Sequence, residues 1–222
     1  MQCYIILYSN DGRFLTFTKR NMAYFFHNAN GQGGAIYPHG LPINNGPGLF
    51  AFPGGKLDKG EVPFQGCLRE FIEECGSQIN FGYLPLNQPR TLATLNNVTI
   101  NGHHFNITGN TFNTIATNYC ALYLQFDAAV LEQIEAIILD TNLENAANAA
   151  AEIRDENFGT YDAIFNIYPF CPLDNELDDC NLWQVEDEIN QIRLLNQNPA
   201  TDWYYNMIVY LANTILNLGI PY

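Results

Sequence analysis

The sequence predicts an α/β protein, in which strands precede and follow one strongly marked helix and further helices close the chain. Apolar or alternating runs at 3–8, 13–20 and 119–126 read as strands. Apolar residues at helical spacing in 63–75, 128–139 and 202–218 supply the other half of the class. With 222 residues and 47% hydrophobic content the chain can bury a substantial core, and no composition break divides it. One domain over 1–222 is therefore the expectation.

The first strand is the CYIILY run, Asp11-Gly12 is a two-residue hairpin signal, and 13–20 alternates with Phe14, Thr16 and Thr18 on one side. Lys19 and Arg20 end that strand with charge. Residues 21–48 are rich in Gly, Pro, Asn and aromatics and show neither period, which predicts a long loop insertion. Loops of this length tend to carry function, so Tyr24, Phe25, Phe26, Tyr37 and His39 are candidates for stacking on a base or closing over a site. Tethering of the loop to the body is the plainer role for most of them. Residues 49–52 form a short strand that delivers Pro53-Gly54-Gly55 to the marked helix.

That helix can be read from its own residues. Pro63 suits a first helical position, where its missing N–H costs nothing, and Gly76 suits the position just past the end. Leu68, Phe71, Ile72 and Cys75 recur at i, i+3, i+4 and i+7 and can dock on a sheet. Glu70, Glu73 and Glu74 share another face, expected to stay wet. Carboxylates so crowded raise one another's pKa, and Arg69 is the helix's sole cation. The deficit suits Mg²⁺ or Mn²⁺, which take carboxylate oxygens and water and often share substrate phosphates.

Downstream, 79–84 reads as a strand ended by Pro85 and Pro89, and 90–95 and 98–107 as strands turned at Asn96-Asn97 and Asn101-Gly102. His103 and His104 are adjacent, so on a strand they face opposite ways and do not share an ion. The Ala- and Asn-rich stretch 141–156, with Glu144, Glu152, Asp155 and Glu156, is either a helix or an insertion. Residues 185–195 and 202–218 are helices, the last with Trp203, Met207, Tyr210, Leu211 and Ile215 at core spacing.

The formal charge of −14, from 9 basic and 23 acidic residues, disfavours non-specific attraction to nucleic acid or anionic lipid. Six cysteines without a CxxC pair or zinc spacing read as free thiols, most of them buried. The opening apolar run is too short for a signal peptide or membrane span, which suggests a cytoplasmic protein without a membrane partner. Asn97 and Asn106 match glycosylation acceptors but carry no weight without a secretory signal.

Gly55, five residues, Glu61, seven residues, then Arg69-Glu70-Phe71-Ile72-Glu73-Glu74-Cys75-Gly76 resembles the Nudix hydrolase signature GX5EX7REUXEEXGU at every fixed identity. Its last position, usually a bulky aliphatic, is Ser77 here. The resemblance implies a Nudix-type α/β/α sandwich with a mixed β-sheet. It implies metal ligands at Glu70, Glu73, Glu74 and the Gly55 carbonyl, bracing of the loop and helix by Glu61 and Arg69, and in some members a basic role for the residue at the place of Glu70. An arginine near substrate at the end of the second strand is also frequent in the family, which makes Arg20, with Lys19, the substrate-binding candidate. The acidic stretch 176–179 before an aromatic strand resembles the one that often supplies a further ligand or base; Glu176 is the first choice, then Asp178 or Asp179.

The implied reaction is Mg²⁺- or Mn²⁺-assisted attack of water on a pyrophosphate bond in a nucleoside diphosphate linked to another moiety. Catalytic roles fall on Glu70, Glu73, Arg69 and Glu176. The expected partner is a small nucleotide derivative such as an ADP-ribose-like compound, a dinucleotide or a nucleotide sugar. Alternatives are a Nudix enzyme acting on capped RNA or nucleoside triphosphates, and a non-catalytic module that senses a nucleotide. A homodimer is left open.

Overall fold

The computed structural model describes residues 1–29, 32–43, 46–81, 93–100, 102–116, 118–197 and 201–220. In chain order its elements are β1 (Gln2–Ser9), β2 (Arg13–Lys19), β3 (Met22–His27), β4 (Gly34–Pro42), β5 (Phe50–Ala51), β6 (Gly54–Lys56), α1 (Pro63–Cys75), β7 (Ile79–Asn80), β8 (Ala93–Ile100), β9 (His103–Ala116), β10 (Tyr119–Phe126), α2 (Ala128–Ile137), α3 (Glu144–Arg154), α4 (Asp162–Ile167), β11 (Leu177–Gln184), α5 (Ile189–Leu195) and α6 (Asp202–Tyr210). Among the described residues the main sheet runs β11-β2-β1-β10-β9-β8-β7, with β5 paired to β2 and β6 to β1.

The sheet is mixed. β1 and β10 are parallel from Gln2 opposite Tyr119 to Ser9 opposite Phe126, while β1 with β6, β2 with β11 and β9 with β10 are antiparallel. β1 and β10 are near-continuously apolar because helices cover both of their faces. Period-two alternation then divides the core. Cys3, Ile5, Leu7, Leu15, Phe17, Leu122 and Leu124 pack with Cys67, Leu68, Phe71 and Cys75 of α1 and Leu131 and Ile134 of α2. Ile6, Tyr8, Phe14, Ala121 and Tyr123 pack on the opposite side with Ile192 of α5 and Tyr204, Met207 and Ile208 of α6. The expected α/β layering with a mixed sheet is the observed one.

Several local expectations are revised. The stretch 21–48 is not one long loop: β3 and β4 form a separate two-stranded antiparallel sheet. Local propensity did not announce it, because its apolar face is completed from far along the chain. Phe25 packs with Ala146, Ala149 and Ile153 of α3, with Tyr161 just before α4 and with Ile164 of α4. The turn expected at Asn96-Asn97 is a register irregularity inside the continuous strand β8. β9 extends to Ala116, beyond the expected end at 107. The strand expected over 79–84 is β7 alone within the described residues; Leu84, Pro85, Pro89 and Arg90 lie outside them. The ambiguous 141–156 stretch is helical: a π-helical turn, Ile138–Leu143, joins α2 to α3. All six cysteines are free and buried. No helix among the described residues is long and apolar enough to cross a membrane.

Candidate active site

The β6 strand and α1 build the floor of a cleft. β6 is pinned to β1 with Gly55 opposite Cys3 and Gly54 opposite Tyr4, and the Cys3 thiol donates to the Gly55 carbonyl at 3.4 Å. α1 starts on Pro63 and ends at Gly76, whose φ of 88° needs glycine and whose N–H donates to the Ile72 carbonyl at 2.9 Å. Asn142, from the π-helical turn, steadies that end by donating to the Cys75 carbonyl at 2.7 Å. Glycine at 55 serves the site in another way. A Cβ there would fall 2.6 Å from the Glu70 Oε2, so the missing side chain leaves the room that the carboxylate occupies.

Arg69 organises the acids. Its Nε donates to Glu61 at 2.9 Å, its Nη1 to Glu73 at 2.6 Å, and its Nη2 to Glu70 at 2.9 Å, to Glu61 at 3.0 Å and to the Lys56 carbonyl at 3.1 Å. The expected Glu61–Arg69 brace is present. Burial works against the guanidinium's charge, but Glu61, Glu70 and Glu73 outweigh it and raise its pKa.

Glu70, Glu73 and Glu74 line the same cleft, of ≈ 730 Å³, as one helical face predicts. They are not wet, however. Glu73 is 7% exposed and Glu74 4%: His27 and the Asp174 N–H meet Glu73, and Gly54, Lys19 and Glu176 surround Glu74. Glu74 Oε2 accepts from the Gly54 N–H at 3.0 Å. Burial, and then proximity to Glu176, push the Glu74 pKa well up. Burial, partly offset by Arg69 and reinforced by Glu73, pushes Glu70 up to about 7. The Glu73 carboxyl is raised by burial against the opposing pull of Arg69.

The opposite wall comes from distant parts of the chain. Glu176 lines the cleft and accepts from the Lys19 ammonium at 3.1 Å, so Lys19 also faces the site. Burial opposes the Lys19 charge, but Glu74 and Glu176 outweigh it and raise its pKa. Arg20 does not line the cleft: its Nε donates to the Leu177 carbonyl at 2.9 Å and its Nη1 meets Asp178 at 2.9 Å. It ties β2 to β11. Asp178 is thereby committed to Arg20, and Asp179 turns back on Cys180 N–H and Asn181, so neither lines the cleft. His103 and His104 are exposed on β9, away from it.

Two residues that the sequence reading left out stand in the cleft. His27, at the end of β3, presents Nδ1 to Asp174 Oδ1 at 2.8 Å and Nε2 to Glu73 Oε1 at 3.4 Å. Asp174 also accepts the His27 backbone N–H at 2.8 Å. The hydrogen bond to Asp174 raises the His27 pKa against its burial. Nothing in the local sequence joins positions 147 residues apart; only the antiparallel course of β3 reveals the pair.

The donor set suits a hard divalent cation: carboxyls that burial first, and then neighbouring acids, drive toward neutrality, with glycine where a Cβ would fill the cradle. Among the described residues no three His, Cys, Asp or Glu groups already form a metal-holding cluster. Arg69 and the Gly54 N–H hold the carboxylates instead.

No protein-family model and no curated protein matches this chain. Among solved structures it is similar to one described as a "NUDIX hydrolase from Nitrosomonas europaea", at 15% identity and a TM-score of 0.33, over 95% of this chain and 88% of that one. Both measures are low. The α/β class is defined by the sheet and helices themselves.

Proposed function

We propose that the protein is a Nudix-type hydrolase that cleaves a pyrophosphate bond in a nucleoside diphosphate linked to another moiety. The observation that carries this reading is the gathering of Glu70, Glu73 and Glu74 in one cleft, the first two held by Arg69 and the third by the Gly54 N–H, with Lys19 and Glu176 opposite. A solvated acidic helix face would not be roofed over at the cost of raising its own carboxyls.

Glu70, Glu73 and Glu74, with the Gly55 carbonyl, would hold Mg²⁺ or Mn²⁺. The ion, when bound, offsets charge on phosphate oxygens and helps ionise water. The chain's own residues do the rest. Arg69 keeps Glu70 and Glu73 apart and oriented, and Glu61 keeps Arg69 in place. Lys19 would supply a cation for a phosphate oxygen, and its partner Glu176 would accept a proton from attacking water. His27 and Asp174 fix the far side of Glu73.

The test is magnesium-dependent release of phosphate from a panel of nucleotides with a phosphatase added. ADP-ribose-like compounds, dinucleotides and nucleotide sugars are expected to react ahead of nucleoside triphosphates and capped RNA. Glu73→Gln should abolish turnover with the circular dichroism spectrum retained. Turnover unchanged by that substitution would remove Glu73 from the ligand set; a panel without any turnover, alongside tight nucleotide binding, would favour a sensing module.

A further inference from the structure

The β3–β4 sheet has two faces, and pairing decides what each one does. Phe25 lies opposite Ile36, and both pack on the α3 and α4 side. Alternation turns Phe26, Ala35 and Tyr37 the other way. Phe26 lies opposite Ala35, which makes Tyr37 its diagonal neighbour on the same face. Their rings meet edge to face, centroids 6.1 Å apart and planes at 72°. Both line the cleft that holds the acids, and both are only half-buried. Leu41, 40% exposed, with Pro42 and Ile43, continues this apolar wall.

The platform is tied down at both of its strands. At Gly34 a Cβ would fall 2.3 Å from the Phe26 carbonyl and 2.5 Å from the Tyr161 ring, so the sheet is pressed on α4. The Asn175 N–H donates to the Phe25 carbonyl at 3.1 Å, and the Tyr24 N–H donates to the Asn175 side chain at 3.2 Å. One cavity thus joins an acid-lined floor, with Lys19 and Arg69 among its carboxylates, to an aromatic wall.

We propose that Phe26 and Tyr37 form the seat of the substrate's nucleobase, and that the β3–β4 sheet is the specificity element of the site. This rests on the hydrolase reading for the orientation of the phosphates, and it adds what the non-phosphate end must be: a flat ring, in preference to an aliphatic chain. The ring face of one aromatic and the edge of the other stack on a planar partner, whichever base it is. The same seat explains why aromatic side chains are left half-exposed beside buried acids.

Binding separates this seat from catalysis. With magnesium present, calorimetry should detect the four nucleoside monophosphates, should find ribose 5-phosphate at least about 10-fold weaker, and should find a short alkyl phosphate no tighter than ribose 5-phosphate. Phe26→Ala and Tyr37→Ala should each weaken the nucleotides about 10-fold and leave ribose 5-phosphate unchanged. Phe26→Leu and Tyr37→Leu keep bulk and apolarity without the ring, so they should show the same loss in a chain whose melting temperature is retained. Nucleotide affinity unchanged in the leucine variants, an alkyl phosphate that binds better than the nucleotides, or no nucleotide binding by the unaltered chain overturns the proposal. If base-selective binding survives and turnover of the panel is absent, the hydrolase reading fails and the seat stands. If turnover is found and the leucine variants keep KM, the seat alone fails.

Discussion

Replacing Gly55 by alanine tests how the floor of the cleft works, because the added atom has one place to go. It would lie 2.6 Å from the Glu70 Oε2 and 2.7 Å from Oε1, against an ordinary contact distance of 3.4 Å or more. The carboxylate must retreat by about 0.8 Å. It sits at the end of a flexible side chain, and Gly55 has no positive φ, so the backbone accepts alanine. Alanine also lowers the entropy of the unfolded chain, a gain of about 0.4–1 kcal/mol that offsets the local crowding. Stability should therefore change little, with a melting temperature within about 4 °C of the unaltered chain. A displacement near 1 Å at a reacting centre can cost about 100-fold, so turnover of the best nucleotide in the panel should fall to about 1%. Mn²⁺ affinity, read by electron paramagnetic resonance of the free ion, should fall with it. A variant that folds, binds Mn²⁺ and turns over like the parent would refute the role given to Glu70 and to the space beside it.

Other perturbations address the surroundings. Arg69→Gln leaves Glu61, Glu70 and Glu73 without their shared cation; partly exposed as the network is, the loss should be about 2 kcal/mol, between surface and buried pairs. In differential scanning fluorimetry, magnesium should raise the melting temperature of Arg69→Gln more than that of the parent, and an equal rise would count against metal uptake by these acids. His27 has a folded pKa raised above its ordinary 6.5, by Asp174 first and with help from Glu73 against Arg69, so its charged form stabilises the fold. That contribution is full below pH 6.5 and is lost as pH rises through the folded value. Urea melts between about pH 5 and about pH 8 should show His27→Gln most destabilised at the acid end, and a gap that widens with pH would contradict the His27–Asp174 pairing. Asn142→Ala removes a buried donor from the Cys75 carbonyl and should cost about 2 kcal/mol, a fall of about 4–8 °C in melting temperature.

Residues whose partners lie close in sequence were legible from the start. Pro63 and Gly76 bound α1 as expected, and Glu61, Arg69 and Glu73 meet because one turn of helix and one loop bring them together. The parallel core strands were visible as apolar runs. Burial of Glu73 and Glu74 was not legible, since the groups that meet them come from distant parts of the chain: Asp174, Lys19, Glu176 and His27, the last on a sheet whose own pattern is broken by Gly33, Gly34, Pro38 and Gly40. That sheet forms because α3 and α4 accept Phe25 and Ile36. Arg20 was misjudged for a related reason: charge at a strand end points to solvent or substrate until a neighbouring strand, here β11, offers a carbonyl and Asp178. Lys19, one residue earlier and on the opposite side, lines the cleft and pairs with Glu176.

The apolar cluster shared by Phe25, α3 and α4 is separate from the two that sandwich the main sheet. The cleft is the seam between them, riveted by the loop ahead of β11 through Asp174 N–H to the Glu73 carbonyl at 3.0 Å and Asn175 N–H to the Phe25 carbonyl at 3.1 Å. Prying this seam apart exposes far less surface than melting the sheet, so amide protons of β3 and β4 should exchange with deuterium well ahead of those in β1 and β10. The wall of the cleft that carries the aromatic residues and the wall that carries the acids are then each held together more firmly than the two are held to one another.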